Sequence, residues 1–302
     1  PHYGKYSYLA FEGDEPANIV KGEWTAADSP LLVDLRPVTG RADPVTPATL
    51  PPRQALAELP SLFSSERMLA TVEWLAAPER EGRGVGTQGL ADSATYLAEQ
   101  YAAIGLTPAG DNGGYLQAFR SETGPDGQPH ELQNVVGYIA GNNPDFDGQA
   151  VVISAHYDHL GFGWPDERAQ AESGAVYAGA DDNASGVAIL LELARAYAKA
   201  SPPPRTLVFL AVSGEEAGLL GSAYYVQNPS PTPATGIRAV INMDTVGRLG
   251  DQPVQILGTE SATEWPHVFR GVGFTTGIPT KNVPGATASS DQQSFINAGI
   301  PG

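Results

Sequence analysis

The sequence predicts an α/β protein, a three-layer α/β/α sandwich in which helices cover both faces of a mostly parallel, mixed central sheet. Three observations carry this. Five short runs, 134–140, 150–155, 206–212, 239–243 and 254–257, are apolar with little polar alternation, as strands buried on both faces are. Between the second and third runs, Ile189, Leu190, Leu193 and Tyr197 recur at helical spacing within a helix expected over 185–200. Such a β-α-β rhythm implies parallel strands with a ligand site beyond their carboxyl ends. Three of the runs end in polar clusters: His156-Tyr157-Asp158-His159, Ser213-Gly214-Glu215-Glu216, and Asp244.

In chain order, residues 1–60 stand apart from the rest. They open with Tyr3, Tyr6, Tyr8 and Phe11, turn Pro-rich from Pro30 to Pro60, and hold no clear period beyond a short strand candidate at 31–35. They read as an arm or the tail of an upstream domain followed by a linker, with the main domain over 61–302. That domain opens with a helix signalled by Leu62, Met68, Leu69, Val72 and Leu75 behind a Ser cap. The loop 81–89 carries Gly82, Gly84, Gly86 and Gly89, but no strand precedes it and no Gly-Lys-Ser/Thr follows, so it is not a phosphate loop. A second helix runs over 90–104 and stops at Gly105.

Composition narrows the chemistry. A net charge of −17 argues against nucleic acid or an anionic membrane as partner, and no run reaches the ~18 apolar residues of a membrane span. With no cysteine, a metal would have to be held by His and carboxylate. The absence of Cys fits an exported bacterial protein and a thermophilic cytosolic one equally. The expectation adopted is an extracellular or cell-envelope protein. The opening on Pro1 reads as a processed or trimmed chain.

The turn at 178–186, Ala-Gly-Ala-Asp-Asp-Asn-Ala-Ser-Gly, sets Asp181 and Asp182 side by side before the central helix. Adjacent carboxylates repel unless a cation or a proton sits with them, although a solvated, helix-capping turn would look similar. The strand ends decide between the two readings. Asp158, two residues after His156, suits a carboxylate that fixes an imidazole's tautomer. Glu215 and Glu216 diverge, so one can face an ion while the other faces a water. Asp244 ends a buried strand, where a carboxylate is costly without a cation. His159 reads as structural or loop-facing.

Together these residues resemble the co-catalytic di-zinc aminopeptidase family, whose relatives include glutaminyl cyclases and glutamate carboxypeptidases. The resemblance rests on His156-Tyr157-Asp158, the 179–186 turn, the Gly214-Glu215-Glu216 run through Ser222, Asn242-Met243-Asp244, and Ser290-Asp291 before Phe295 and Gly299-Ile300-Pro301. Gly82-Arg83 with Gly86-Thr87, and 105–108, extend it toward the start of the domain. It implies a zinc-exopeptidase fold and two Zn²⁺ ions. His156 and Glu216 would hold one ion and Asp244 the other, with Asp181 bridging, Asp158 orienting His156, and a cis peptide between Asp181 and Asp182. Glu215 would take a proton from the attacking water and return it to the leaving amine of a peptide substrate. A glutaminyl cyclase, a carboxypeptidase or a non-catalytic module on the same fold are the alternatives. The family takes a further His ligand beyond the Gly-Ile-Pro stretch, so a chain ending at Gly302 reads as truncated there. The segment 160–177 lies between ligand positions, making Phe162, Trp164 and Tyr177 candidates for a side-chain pocket or lid. Neither oligomeric state nor side-chain preference is readable.

Overall fold

Each of the apolar runs at 150–155 and 206–212 becomes a strand flanked by helices, and the strand order brings their carboxyl ends together. The computed structural model describes residues 6–10, 20–24, 62–166, 175–283 and 290–302. The expected linker, the strand candidate at 31–35 and the 60/61 boundary lie outside the described residues. Contacts divide the chain into Pro1–Pro52 and Arg53–Gly302. In the first unit, β1 (Tyr6–Ala10) and β2 (Val20–Trp24) pair antiparallel. No hydrophobic period marks this hairpin in the sequence.

The second unit holds the main sheet. Its centre is β6 (Ala150–His156), flanked on both sides by parallel neighbours, β7 (Thr206–Val212) and β8 (Ile237–Asn242). The other half is antiparallel: β5 (Glu131–Ile139) pairs with β7, and β3 (Thr107–Pro108) and β4 (Leu116–Arg120) pair with β5. The sheet is therefore mixed, and parallel only in the half that carries the polar strand ends. The run at 254–257 forms β9 (Val254–Ile256), which pairs with β10 (Thr280–Asn282) rather than joining the main sheet.

Alternation along β7 builds the layers. Leu207, Phe209 and Ala211 enter one core with Leu97, Tyr101, Leu190 and Leu191, while Val208, Leu210 and Val212 enter a second with Tyr225, Val240 and Phe295. Each of these fully buried large apolar side chains is worth about 1.5–3 kcal/mol. Helices α1 (Ser65–Leu75), α2 (Gln88–Ile104) and α3 (Gly186–Lys199) cover the first face. Helices α4 (Leu220–Gln227) and α6 (Gln292–Asn297) cover the second, and α5 (Trp265–Thr276) precedes β10. Ser64 caps α1 by accepting from the Arg67 amide, Thr87 caps α2, and Gly105 ends α2 at φ 89°, a left-handed conformation that suits glycine.

The buried stripe of α3 is Val187, Leu190, Leu191 and Ala194, so Tyr197, expected on the apolar face, turns to solvent. Glu192, on the same helix, is completely buried yet fully paired. Arg67 grips it through two hydrogen bonds of 2.8 and 2.7 Å and Arg195 through one of 2.9 Å, tying α1 to α3. Among the described residues, no helix is long and apolar enough to cross a membrane.

Candidate metal centre

The register of the parallel strands sets the site. His156 pairs with Val212, the last residue of β7, and Ser154 pairs with Asn242. Two residues on from the latter pair, His156 and Asp244 come level. The loop after β7 delivers Glu215 and Glu216 beside them, turning through Gly214 at φ 73°, where a side chain would be strained. Asp158 stitches the two loops, its carboxylate oxygens accepting from the amides of Glu215 (3.2 Å) and Glu216 (3.3 Å).

Two groups of side chains face one another across Asp182. In the first, His156 Nε2 lies 3.1 Å from Asp182 Oδ1 and 3.4 Å from Asp244 Oδ1. In the second, His159 Nδ1 lies 2.6 Å from Glu216 Oε1 and 3.9 Å from the other Asp182 oxygen, Oδ2. Ligands about 2.0–2.1 Å from a tetrahedral zinc stand roughly 3.3 Å apart, so the spacing of the first group fits an ion. The donors, imidazole and carboxylate with no thiolate, suit zinc as well.

This geometry departs from the sequence-based expectation in four respects. The carboxylate between the groups is Asp182, not Asp181. Asp181 Oδ1 accepts instead from the Gly247 amide at 2.8 Å. The physical reason is local: Asp182 is extended (φ −104°, ψ 99°), so the side chains before and after it project elsewhere, and Asn183 bonds the Met243 carbonyl at 2.9 Å. The cis peptide falls between Asp182 and Asn183, not between Asp181 and Asp182. His156 groups with Asp244 rather than with Glu216, which stands against His159 three residues further along the loop. His159, read as loop-facing, stands against Glu216. A signal for it was present in the sequence, since it follows His156 by three residues at the same strand end.

Asp158 does face His156, whose Nδ1 lies 3.2 Å from the Asp158 carbonyl and 3.6 Å from its carboxylate. Burial opposes charge on His156, but Asp158, Asp182 and Asp244 outweigh it and hold the imidazolium well above the usual range. Glu215 belongs to neither group. Burial pushes its carboxyl up to about 9; the charges of Asp291, Asp158 and Asp244 add to this, and His156 opposes it. Asp291, fully buried with neither oxygen hydrogen-bonded, is pushed up to about 7 by burial. Carboxyls that hold protons this tightly mark a site short of positive charge.

Of the candidate pocket residues, Trp164 packs against the first core and Phe162 is 54% exposed. Tyr177 pairs with Gly161 through an isolated bridge, and residues 167–174 lie outside the described residues. A cavity of about 660 Å³ opens at the second group, lined by His159, Asp181, Asp182, Val72 and Arg248 among others.

Comparison with known proteins matches this frame. The chain is 28% identical over 270 residues to leupeptin-inactivating enzyme 1 of Streptomyces exfoliatus, covering 87% of this chain and 54% of the relative. It is 29% identical over 196 residues to aminopeptidase YwaD of Bacillus subtilis, covering 60% of this chain and 37% of the relative. The chain thus spans about half or less of the length of these curated relatives. Its fold superposes on the crystal structure of Tannerella forsythia glutaminyl cyclase with a TM-score of 0.59 at 23% identity, covering 79% of this chain and 82% of that one. The model of Peptidase family M28 matches residues 134–302, the stretch that carries the three polar strand ends and the 178–186 turn, and the chain belongs to that family.

Proposed function

We propose that this chain is the catalytic part of a zinc exopeptidase, an aminopeptidase releasing N-terminal residues from peptides. The observation that supports it most is Asp182, with one oxygen turned to His156 and Asp244 and the other to His159 and Glu216. In this reading His156, Asp182 and Asp244 would hold one zinc, and Glu216 with Asp182 would hold the other. His159 is the imidazole that the described residues offer to the second position. Bound zinc would supply Lewis acidity at the scissile carbonyl and draw the pKa of the attacking water toward about 7. Asp158 keeps His156 oriented and fixes the loop that carries Glu215 and Glu216.

Glu215 is the group free to move protons. With zinc bound, the added positive charge would bring the Glu215 carboxyl down from about 9, so that it could take a proton from the attacking water and give it to the leaving amine; a purely structural metal site would have no use for it. The acidic rim formed by Asp181, Asp182 and Asp244 suits a substrate whose free end is an ammonium.

The test pairs zinc content with hydrolysis of aminoacyl anilides, with a glutaminyl peptide as parallel substrate. Glu215→Gln should retain zinc and lose roughly 10²–10⁴-fold in kcat. Cyclisation of the glutaminyl peptide without anilide hydrolysis would replace the aminopeptidase with a cyclase. Zinc without either reaction would leave a non-catalytic module.

A further inference from the structure

Arg83 lies in the Gly-rich loop that the mechanism above does not use, and it is completely buried, unusual for an arginine without a carboxylate partner. Its guanidinium is spent entirely on backbone carbonyls. Nε donates to Tyr157 at 2.7 Å, Nη2 to Gly179 at 2.7 Å, and Nη1 to Ala178 at 2.8 Å and to Leu75, the last residue of α1. The Arg83 carbonyl in turn accepts from the His159 amide at 3.2 Å, and the Gly82 carbonyl from Gly161 at 3.1 Å.

The backbone is bent to make this possible. Glu81, Gly82 and Arg83 are all left-handed, with φ of 49°, 59° and 52°, a conformation that a glutamate and an arginine adopt only when the surroundings impose it. Gly82 and Gly84 let the loop lie directly on the 161 and 177 backbones, where a Cβ would come within 2.2 Å of the Tyr177 carbonyl oxygen and 2.7 Å of Gly161 Cα.

One planar group therefore joins two loops that are far apart in sequence. Tyr157 sits between His156 and Asp158, and Ala178 and Gly179 lead directly into Asp182. We propose that Arg83 is a positioning residue for the metal centre, fixing the separation between the His156–His159 loop and the Asp182 turn so that the side chains of both groups are brought together before an ion arrives. This rests on the two-zinc reading of the site. Burial lowers the guanidinium's pKa to about 10, and Asp158, Asp182 and Glu216 oppose that shift, so the Arg83 charge also bears on the cluster. Lysine would keep that charge but cannot span the same carbonyls, since an ammonium lacks the planar fork.

Zinc affinity of the full chain, measured by competition with a chelating dye, tests the idea alongside melting of the zinc-free forms. Arg83→Met should weaken zinc binding by about 10- to 100-fold, as loss of an outer partner of metal ligands does, and Arg83→Lys should recover only part of that. Arg205→Met, which removes a guanidinium from Gln149 and from the Phe146 ring at the ends of β6 and β7 opposite the centre, should lower the melting temperature and leave zinc affinity unchanged. If Arg83→Met does not fold, Arg83→Lys decides alone. Wild-type affinity in a folded Arg83 variant would overturn the proposal, making Arg83 a structural clamp only. A wild-type chain that binds no zinc would overturn the reading of the site, and this inference with it.

Discussion

Glu192 and Asp291 are both fully buried carboxyls, and their surroundings drive them in opposite directions. Glu192 is held by Arg67 and Arg195, and the Arg67 hydrogen bonds bring its carboxyl down to about 2. Asp291 has no hydrogen-bonding partner for either oxygen, and burial lifts it to about 7. Glu215, at the same sheet edge, rises to about 9. The chain thus supplies cations to the acids that hold its scaffold and withholds them from the acids at the strand ends. Among the described residues His156 is the imidazole set among those acids, and the buried arginine beside them, Arg83, turns its donors to carbonyls rather than to carboxylates. A scaffold that neutralises itself beside a site that does not is the electrostatic form of a place reserved for added cations.

Breaking the paired side should have the largest effect. Glu192→Gln leaves two arginines without their carboxylate; since both reach solvent, it should cost about 1.5–2 kcal/mol in chemical denaturation, with zinc content unchanged. A loss of zinc in that variant would mean that the two regions are not independent. The unpaired side should respond with the opposite sign: Asp291→Asn should raise the melting temperature of the zinc-free chain at pH 8, though by less. A lower melting temperature would show that Asp291 is already compensated.

The smallest effect is the pH dependence itself. Glu192 has its folded pKa below the ordinary 4.5, so its contribution is present above that pH and is lost as pH falls toward 2. Asp291 and Glu215 are raised above 3.8 and 4.5, so what they contribute is present below those values and is lost as pH rises through about 7 and about 9. The zinc-free chain should therefore melt at lower temperature at pH 8 than at pH 5, and zinc should narrow the difference. Equal slopes with and without zinc would contradict the contrast.

The parallel half of the sheet was legible because each of its strands is a near-continuous apolar run that stops at a polar cluster. That His156, Glu216 and Asp244 meet at one edge follows from that pattern alone. β4 was not legible, because its inward position Gln117 is polar and is satisfied only by Asn134 and the Asn228 carbonyl, both remote in sequence. The choice between Asp181 and Asp182 was hidden for a different reason. The residues are chemically identical, and only the backbone of the turn decides which one faces inward. The partition of ligands depended on which loops meet in space, which composition does not record. Arg83 makes its contact with a segment 74 residues away, so its type and local pattern carry no trace of the role, and His159 meets Glu216 57 residues away, with only its place three residues after His156 as a local hint.

The most direct test of the centre is zinc per folded chain in Asp182→Ala compared with Asp181→Ala, each purified by the same route and titrated with zinc. Asp182 faces both groups of donors and Asp181 bonds the Gly247 amide, so the first variant should lose binding at both positions and the second should keep it. Retention of both ions in Asp182→Ala, or their loss only in Asp181→Ala, would contradict the arrangement of the site.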